Sequence, residues 1–328
     1  MNKTMKQLVV TGPGEAELRE VPIPEPGPRE VLMKVTAVTT CPQWDLHLAH
    51  NEPMFVGHSF HYPYTPGQPG HEATGRVEAV GNEVTEYFPG DRVCAWQDPG
   101  HQGPGCYAQY VLHKAKRLIK IPEDQSDAAW APLELAMCVG TVFRMLRDMD
   151  VLRDRSVAVS GLGPAGLIAL QMALAEGARS VVGFDLKADR FALAKSLGAA
   201  GCYDPRGVSG EDFPARPDQP GIETAIDCVG AKASVEFLMD RSSDVVALFG
   251  VQRETYAFEP RHFSLRLCGY GGHSRESADY AAALVQSGKL KLEPLVTHQL
   301  PLERYVEAVH LLDRQQAIKV CFLPWASA

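Results

Sequence analysis

Apolar and polar residues alternate along the run EVLMKVTAVTT. Val31, Met33, Val35 and Ala37 fall on one face, and Leu32, Lys34 and Thr36 on the other. A period of two is that of a strand with one buried face. GRVEAVG and DRVCAW are shorter runs of the same kind, and FPGD and DPGHQGPG nearby carry turn chemistry. Short strands broken by Gly and Pro continue to about residue 135, which predicts an antiparallel barrel or sandwich.

The pattern changes near residue 140. SVAVSG is solidly apolar and is followed by PAGLIALQMALAEG, apolar on most sides, with Gly177 as its expected stop. Then come SVVGFD, a helix over ADRFALAKSLG, AGCYD, ETAIDCVG, a helix from Ala231 to Asp240, DVVALFG and LRLCGYGG. Apolar strands alternating with helices predict a parallel sheet covered on both faces. YDPRGVSGEDFPARPDQPG reads as a loop; a last helix, Glu303 to Arg314, precedes a closing strand AIKVCFLP.

Composition narrows the class. At 328 residues the chain is long for one domain and comfortable for two. Its 45% hydrophobic and 22% charged residues are ordinary for a soluble fold, and a formal charge of −8 without basic blocks excludes a nucleic-acid surface. No apolar run is long enough to span a bilayer and the N-terminus lacks the apolar core of a signal peptide, so a cytoplasmic protein without membrane partners is expected. The eight cysteines are scattered without a C-x-x-C pair, which predicts buried thiols and at most a ligand among them.

Ser160 to Gly166 reads SGLGPAG, with Gly161, Gly163 and Gly166 in G-x-G-x-x-G spacing and Pro164 and Ala165 opening the helix. A strand precedes it, and Asp185 ends the next strand nineteen residues on. In that order the glycines serve a tight turn, close approach to a pyrophosphate, and helix–strand packing, while the helix N-terminus faces the phosphate. Asp185 is expected to accept hydrogen bonds from a ribose, favouring NAD over NADP. Lys187 and Arg190 weaken that preference, since either attracts a phosphate. A plain turn without a ligand is the alternative.

PGQPGHEATGRVEAVG places His71 and Glu72 side by side among glycines. Zinc takes about four Cys, His or carboxylate ligands. Cys41 and Glu134 are the further candidates, although on their own a buried thiol and a salt-bridged acid are the commoner explanations. With these residues in view, the chain resembles the zinc-containing medium-chain alcohol and polyol dehydrogenases: GHEATGRVEAVG is similar to their G-H-E-x-x-G-x-V-x-x-V-G signature. EVLMKVTAVTTC, FPGDRV, CYAQYVL, the nucleotide segment and AIKVCFLP resemble that family in turn.

The resemblance implies a GroES-like catalytic domain over 1–139, completed by 289–328, and a Rossmann domain over 140–288. It implies NAD, one catalytic zinc drawn from Cys41, His71, Glu72 and Glu134, and a homodimer or homotetramer. The edge of the nucleotide sheet, near LRLCGYGG, is where family members usually associate. The expected activity is hydride transfer between NAD and a small-molecule secondary alcohol, polyol or sugar-like, giving the ketone. The alternatives are a zinc-free NADPH-dependent enone or quinone reductase of the same superfamily and a non-catalytic nucleotide-binding protein.

The chain departs from the family in three places. CAWQDPGHQGPGCYAQY offers only Cys94 and Cys106 where a second, structural zinc needs four cysteines, so none is expected. CPQWDLH has Gln43 at the hydroxyl position of C-x-[ST]-D-x-H, with Asp45 and His47 one residue late. Asp45 is then expected to accept a hydrogen bond from His71, and His47 or a water chain to relay the proton. The intervening loop carries His50, His58 and His61, which suit a polar multi-hydroxyl pocket or equally solvated loop positions, whereas Trp44, Met54 and Phe55 suit an apolar pocket.

Overall fold

The computed structural model describes residues 4–55, 57–65, 67, 69–97, 103–209, 212–213 and 221–327. Residues 98–102 of the expected turn DPGHQGPG, and 210–211 and 214–220 of the loop before residue 221, lie outside the described residues. The chain divides into two compact units, one of Met1–Glu134 with Leu292–Ala328 and one of Leu135–Lys291. The nucleotide-type unit thus extends a few residues beyond the expected 140 and 288 at both ends.

The first unit opens with a hairpin, β1 (Thr4–Gly12) and β2 (Glu15–Pro22). β3 (Glu30–Thr39) leads into helix α1 (Pro42–His50), then β4 (Glu72–Val80), β5 (Arg92–Ala95), β6 (Tyr110–Lys114), β7 (Leu118–Lys120) and helix α2 (Leu133–Asp148), whose first two residues belong here. β3 is buried on more than its alternating face: Val31, Met33, Val35 and Ala37 are fully enclosed, and Leu32 and Val38 of the other face are buried too. Strand β4 starts at Glu72, earlier than the apolar run suggests, so the His71–Glu72 pair is a strand entrance.

The second unit is a six-stranded parallel sheet among the described residues. Its strands are β8 (Ser156–Ser160), β9 (Ser180–Phe184), β10 (Gly201–Tyr203), β11 (Ile222–Asp227), β12 (Ser242–Leu248) and β13 (Arg266–Gly269), in the order β10-β9-β8-β11-β12-β13. Helices α3 (Pro164–Ala175), α4 (Phe191–Ser196), α5 (Lys232–Met239) and α6 (Arg275–Gln286) connect or follow them. The apolar sides of α3 are explained by burial of eight consecutive residues, Gly166 to Ala173. Gly177, at φ +86°, closes that helix. The helix expected over ADRFALAKSLG is a 3₁₀ turn at Ala188–Arg190 followed by the short α4.

The chain then returns to the first unit with β14 (Val296–Leu300), α7 (Tyr305–Asp313) and β15 (Lys319–Phe322). Its sheet runs β14-β15-β3-β4-β5-β7, with β6 also paired to β3. β14 and β15 pair in parallel, so this sheet is mixed, where an all-antiparallel one was expected. The cause is connectivity: β14 is joined to β15 by a crossover through α7, the kind of connection parallel neighbours need, and both strands come from the far end of the chain. Helices α1, α2 and α6 were not marked by the alternation. Among the described residues no helix is long and apolar enough to cross a membrane.

Candidate functional site

Antiparallel pairing of β3 with β4 sets Thr39 opposite Glu72. Cys41 follows Thr39 by two residues and His71 precedes Glu72 by one, so a separation of thirty residues closes to neighbouring positions. Cys41 is the residue that caps α1, with Pro42 in the first turn. Side-chain ligand atoms of Cys41, His71 and Glu72 all lie within 4.8 Å of one another. Glu134, in the first turn of α2, brings Oε2 to 3.5 Å from His71 Nε2. His71, Glu72 and Glu134 are buried.

A soft sulfur, an imidazole and the Glu72 carboxylate, with the Glu134 carboxylate beside the imidazole, are donors of the kind zinc selects. Burial pushes the Cys41 thiol well above its ordinary value and the Glu72 carboxylate pushes it further, against the opposing pull of Lys319 and the Trp44 backbone N–H. Without a cation the group is a thiol at neutral pH; a divalent ion would make it a thiolate.

Glu72 is also held from the other side. Lys319 Nζ, on β15, donates to both of its oxygens at 2.6 and 2.5 Å and to the Thr40 carbonyl at 2.7 Å. Thr39 Oγ1 donates to Oε2 at 2.9 Å. Burial pushes the Glu72 carboxyl up, while Lys319 and Thr39 pull it down. The structure therefore adds Lys319, which pattern reading missed. Its one signal was a lone lysine inside the apolar run AIKVCF.

Asp45 does not take the partner expected of it. Its carboxylate accepts from Tyr107 Oη at 3.0 Å, Tyr305 Oη at 3.0 Å and the Cys41 N–H at 2.9 Å. The expected bond to His71 is corrected accordingly. With the motif spaced one residue late, the carboxylate sits under its own helix cap and two phenols fill it. Burial pushes Asp45 up to about 7, against the hydrogen bonds from Tyr107, Tyr305 and Cys41.

His47 is half-buried on α1, with Nδ1 3.2 Å from the Glu52 carbonyl. The three loop histidines do not form a polar cluster. His50 pairs with Asp313 of α7 at 3.0 Å, and His61 lies 3.4 Å from Ser59. His58 packs edge-on against Trp44 and Phe60, with centroids 5.6 and 4.6 Å away. This loop is organised by aromatic contact, and Met54 is buried with it. Cys94 and Cys106 are engaged within the protein, at 3.2 Å from the Trp130 carbonyl and 3.4 Å from His113 Nε2.

In the second unit the glycine loop has the geometry its spacing predicts. Gly161 turns at φ +85°, and a Cβ on Gly166 would stand 1.7 Å from the Gly161 carbonyl oxygen, so only glycine lets the helix approach that closely. Pro164 opens α3 at its first position after Gly163, followed by Ala165. Asp185 is buried beside this loop. It accepts from the Leu162 N–H at 2.7 Å, the Lys187 N–H at 2.8 Å and Arg190 Nη1 at 3.0 Å. Arg190 thus lies over the loop, 3.8 Å from where a Cβ on Gly163 would be. Lys187 contributes its backbone to that arrangement.

Known proteins with this organisation are numerous. Residues 27–123 match the model of the alcohol dehydrogenase GroES-like domain, and residues 164–284 match that of the zinc-binding dehydrogenases. Sorbitol dehydrogenase of Macaca fascicularis is 30% identical over 347 residues, covering 95% of this chain and 94% of that protein. Human sorbitol dehydrogenase is likewise 30% identical, over 353 residues, with the same coverage of both chains. Among solved structures, a zinc-binding dehydrogenase of Sinorhizobium meliloti 1021 bound to NADP is 26% identical, with a TM-score of 0.82 over 98% of this chain and 100% of that one. Galactitol-1-phosphate dehydrogenase from Escherichia coli has the same TM-score and coverage at 24% identity, a likeness of fold alone.

Proposed function

Because the chain belongs to the zinc-dependent medium-chain alcohol and polyol dehydrogenases, with a GroES-like domain and a Rossmann-type domain, we propose that it uses NAD to oxidise a secondary hydroxyl of a polyol to the ketone, with one catalytic zinc. The observation that carries this reading is the convergence of Cys41, His71 and Glu72 within 4.8 Å, with Glu134 3.5 Å from His71.

Cys41, His71 and Glu134 are the direct ligands in this reading. Glu72 is engaged by Lys319 through both oxygens and serves as the charged partner behind them. The charges support the set: a thiolate and two carboxylates cancel against an ammonium and a dication. A buried cluster with a large residual charge would be costly. Held by Cys41, His71 and Glu134, zinc would supply the Lewis acidity that eases loss of the carbinol proton. His47, its Nδ1 anchored on the Glu52 carbonyl, is the proposed carrier of that proton toward solvent; Gln43 cannot ionise.

A bound nicotinamide would supply the hydride acceptor, a chemistry that belongs to the cofactor. The chain's part is the cradle of Gly161, Gly163, Pro164, Ala165 and Gly166, where free N–H groups and the helix dipole meet the pyrophosphate. Asp185 disfavours a 2′-phosphate, and Arg190 is already paired to it, so NAD is the proposed cofactor. Subunits are proposed to pair through β13, an edge strand of its sheet flanked by the exposed Phe263 and Tyr270; light scattering tests that.

The deciding experiment combines metal analysis with absorbance at the NADH band across polyols, sugars and simple secondary alcohols. Stoichiometric zinc with NAD-linked polyol oxidation is expected. Normal turnover by Cys41→Ala would overturn the metal assignment, and zinc-free NADPH-linked reduction of an enone would overturn the reaction.

A further inference from the structure

Two turns carry the proposed cysteine and histidine ligands, and both rest on one side chain. The hydroxyl of Tyr107 donates to Asp45, whose Oδ2 accepts the Cys41 N–H at 2.9 Å. The Asp45 N–H returns a bond to the Cys41 carbonyl at 2.9 Å. Asp45 thus grips both backbone polar groups of Cys41. At its other end, the Tyr107 ring covers Gly70, the residue before His71: a Cβ there would lie 3.1 Å from Tyr107 Cγ, and Gly70 has φ +88°. The Cys106 N–H, next to Tyr107, binds the Gly70 carbonyl at 2.5 Å.

Tyr305 completes the arrangement from α7. Its hydroxyl reaches Asp45 Oδ1 at 3.0 Å, and its ring lies 5.6 Å from that of Tyr107. Phe322 packs against both rings at 5.2 and 6.0 Å. All of these side chains are buried, so the geometry is set by close packing and cannot relax into solvent.

We infer that Tyr107, with Asp45 and Tyr305, is a bracket that sets the spacing and orientation of Cys41 relative to His71, making these three positioning residues for the metal. The inference rests on the reading of Cys41 and His71 as zinc ligands. A metal site tolerates little error in ligand placement, and loss of an outer partner typically costs about 10- to 100-fold in affinity. Tyr107→Phe keeps the ring over Gly70 and removes only the bond to Asp45, so it isolates the bracket from general packing.

The test uses the full chain loaded with Co²⁺ in place of zinc. Its readouts are the thiolate-to-cobalt charge-transfer band, metal affinity by chelator competition, and NADH binding by fluorescence. For Tyr107→Phe we expect a shifted or weakened band and at least roughly tenfold weaker metal binding, with NADH affinity unchanged. Tyr305→Phe should give a smaller change in the same direction, because Tyr107 still holds the carboxylate; it also serves as the readout if Tyr107→Phe fails to melt cooperatively. Wild-type spectrum and affinity in the folded variants would overturn the bracket alone. Absence of any sulfur–cobalt band in the unmodified protein would overturn the ligand assignment and the bracket together.

Discussion

Lys319 Nζ lies 2.6 and 2.5 Å from the two oxygens of Glu72, across 247 residues of sequence and with neither side chain reaching solvent. The pair ties the last strand of the chain to the entrance of β4, one residue from His71. Taking both charges from water is costly. The contact endures because Thr39 and the Thr40 carbonyl satisfy what the pair leaves over.

Removing one partner should therefore hurt more than removing both. Lys319→Met is expected to lose about 3–5 kcal/mol of stability, since Glu72 is left buried and uncompensated. Lys319→Met combined with Glu72→Gln should recover part of that loss. Chemical denaturation of the two single variants and the double one measures the coupling.

The two carboxylates near His71 should separate by function. Glu134→Gln should weaken zinc binding beyond the roughly 10- to 100-fold cost of an outer partner, whereas Glu72→Gln should stay within that range. Chelator competition on each folded variant decides it. A larger effect at Glu72 would exchange the two roles.

Cofactor choice should turn on Asp185. Replacing it with serine removes the negative charge and releases Arg190. The ratio of kcat/KM for NADP to that for NAD should then rise by at least about tenfold, or about 1.4 kcal/mol of transition-state discrimination. Initial rates with both dinucleotides are the measurement, and an unchanged ratio counts against Asp185 as the discriminating group.

Glu223 should make the second unit sensitive to acid. Its carboxylate accepts from the Ser156 N–H at 2.8 Å, Arg155 at 2.7 Å and Arg179 at 2.7 Å. Burial pushes its pKa up, but those donors outweigh it and hold the group below its ordinary 4.5. A depressed folded value stabilises the native state above the unfolded value and is lost as pH falls below it. Glu223→Gln should cost about 1 kcal/mol at pH 7. The gap to the parent protein should close in melts taken at progressively lower pH below about 4.5.

The nucleotide loop was legible because every part of it is local. The strand, Gly161, Gly163, Gly166, the helix and Asp185 fall within thirty residues, and each glycine answers a steric demand of its immediate neighbours. The apolar runs of the parallel sheet were legible for the same reason. Cys41, His71, Glu72 and Glu134 stood out as zinc-capable residue types, and a family signature gave them a common role. The meeting of Cys41, His71 and Glu72 within 4.8 Å depends on how β3 registers against β4, where a slip of one residue would turn Glu72 to the other face.

What the sequence by itself determined was most of the strands, the helices of the nucleotide-type unit that follow its apolar strands, and the inventory of chemical groups, because periodicity and turn chemistry act over a few residues. Only the tertiary structure decided the partners. Asp45 binds Tyr107 and Tyr305, with Cys41 beneath it, and Glu72 is held by Lys319. The physical reason is that a buried polar group must be satisfied by whatever donor packing delivers. The donors delivered here, Tyr305 and Lys319, come from 260 and 247 residues away, beyond the reach of any local pattern.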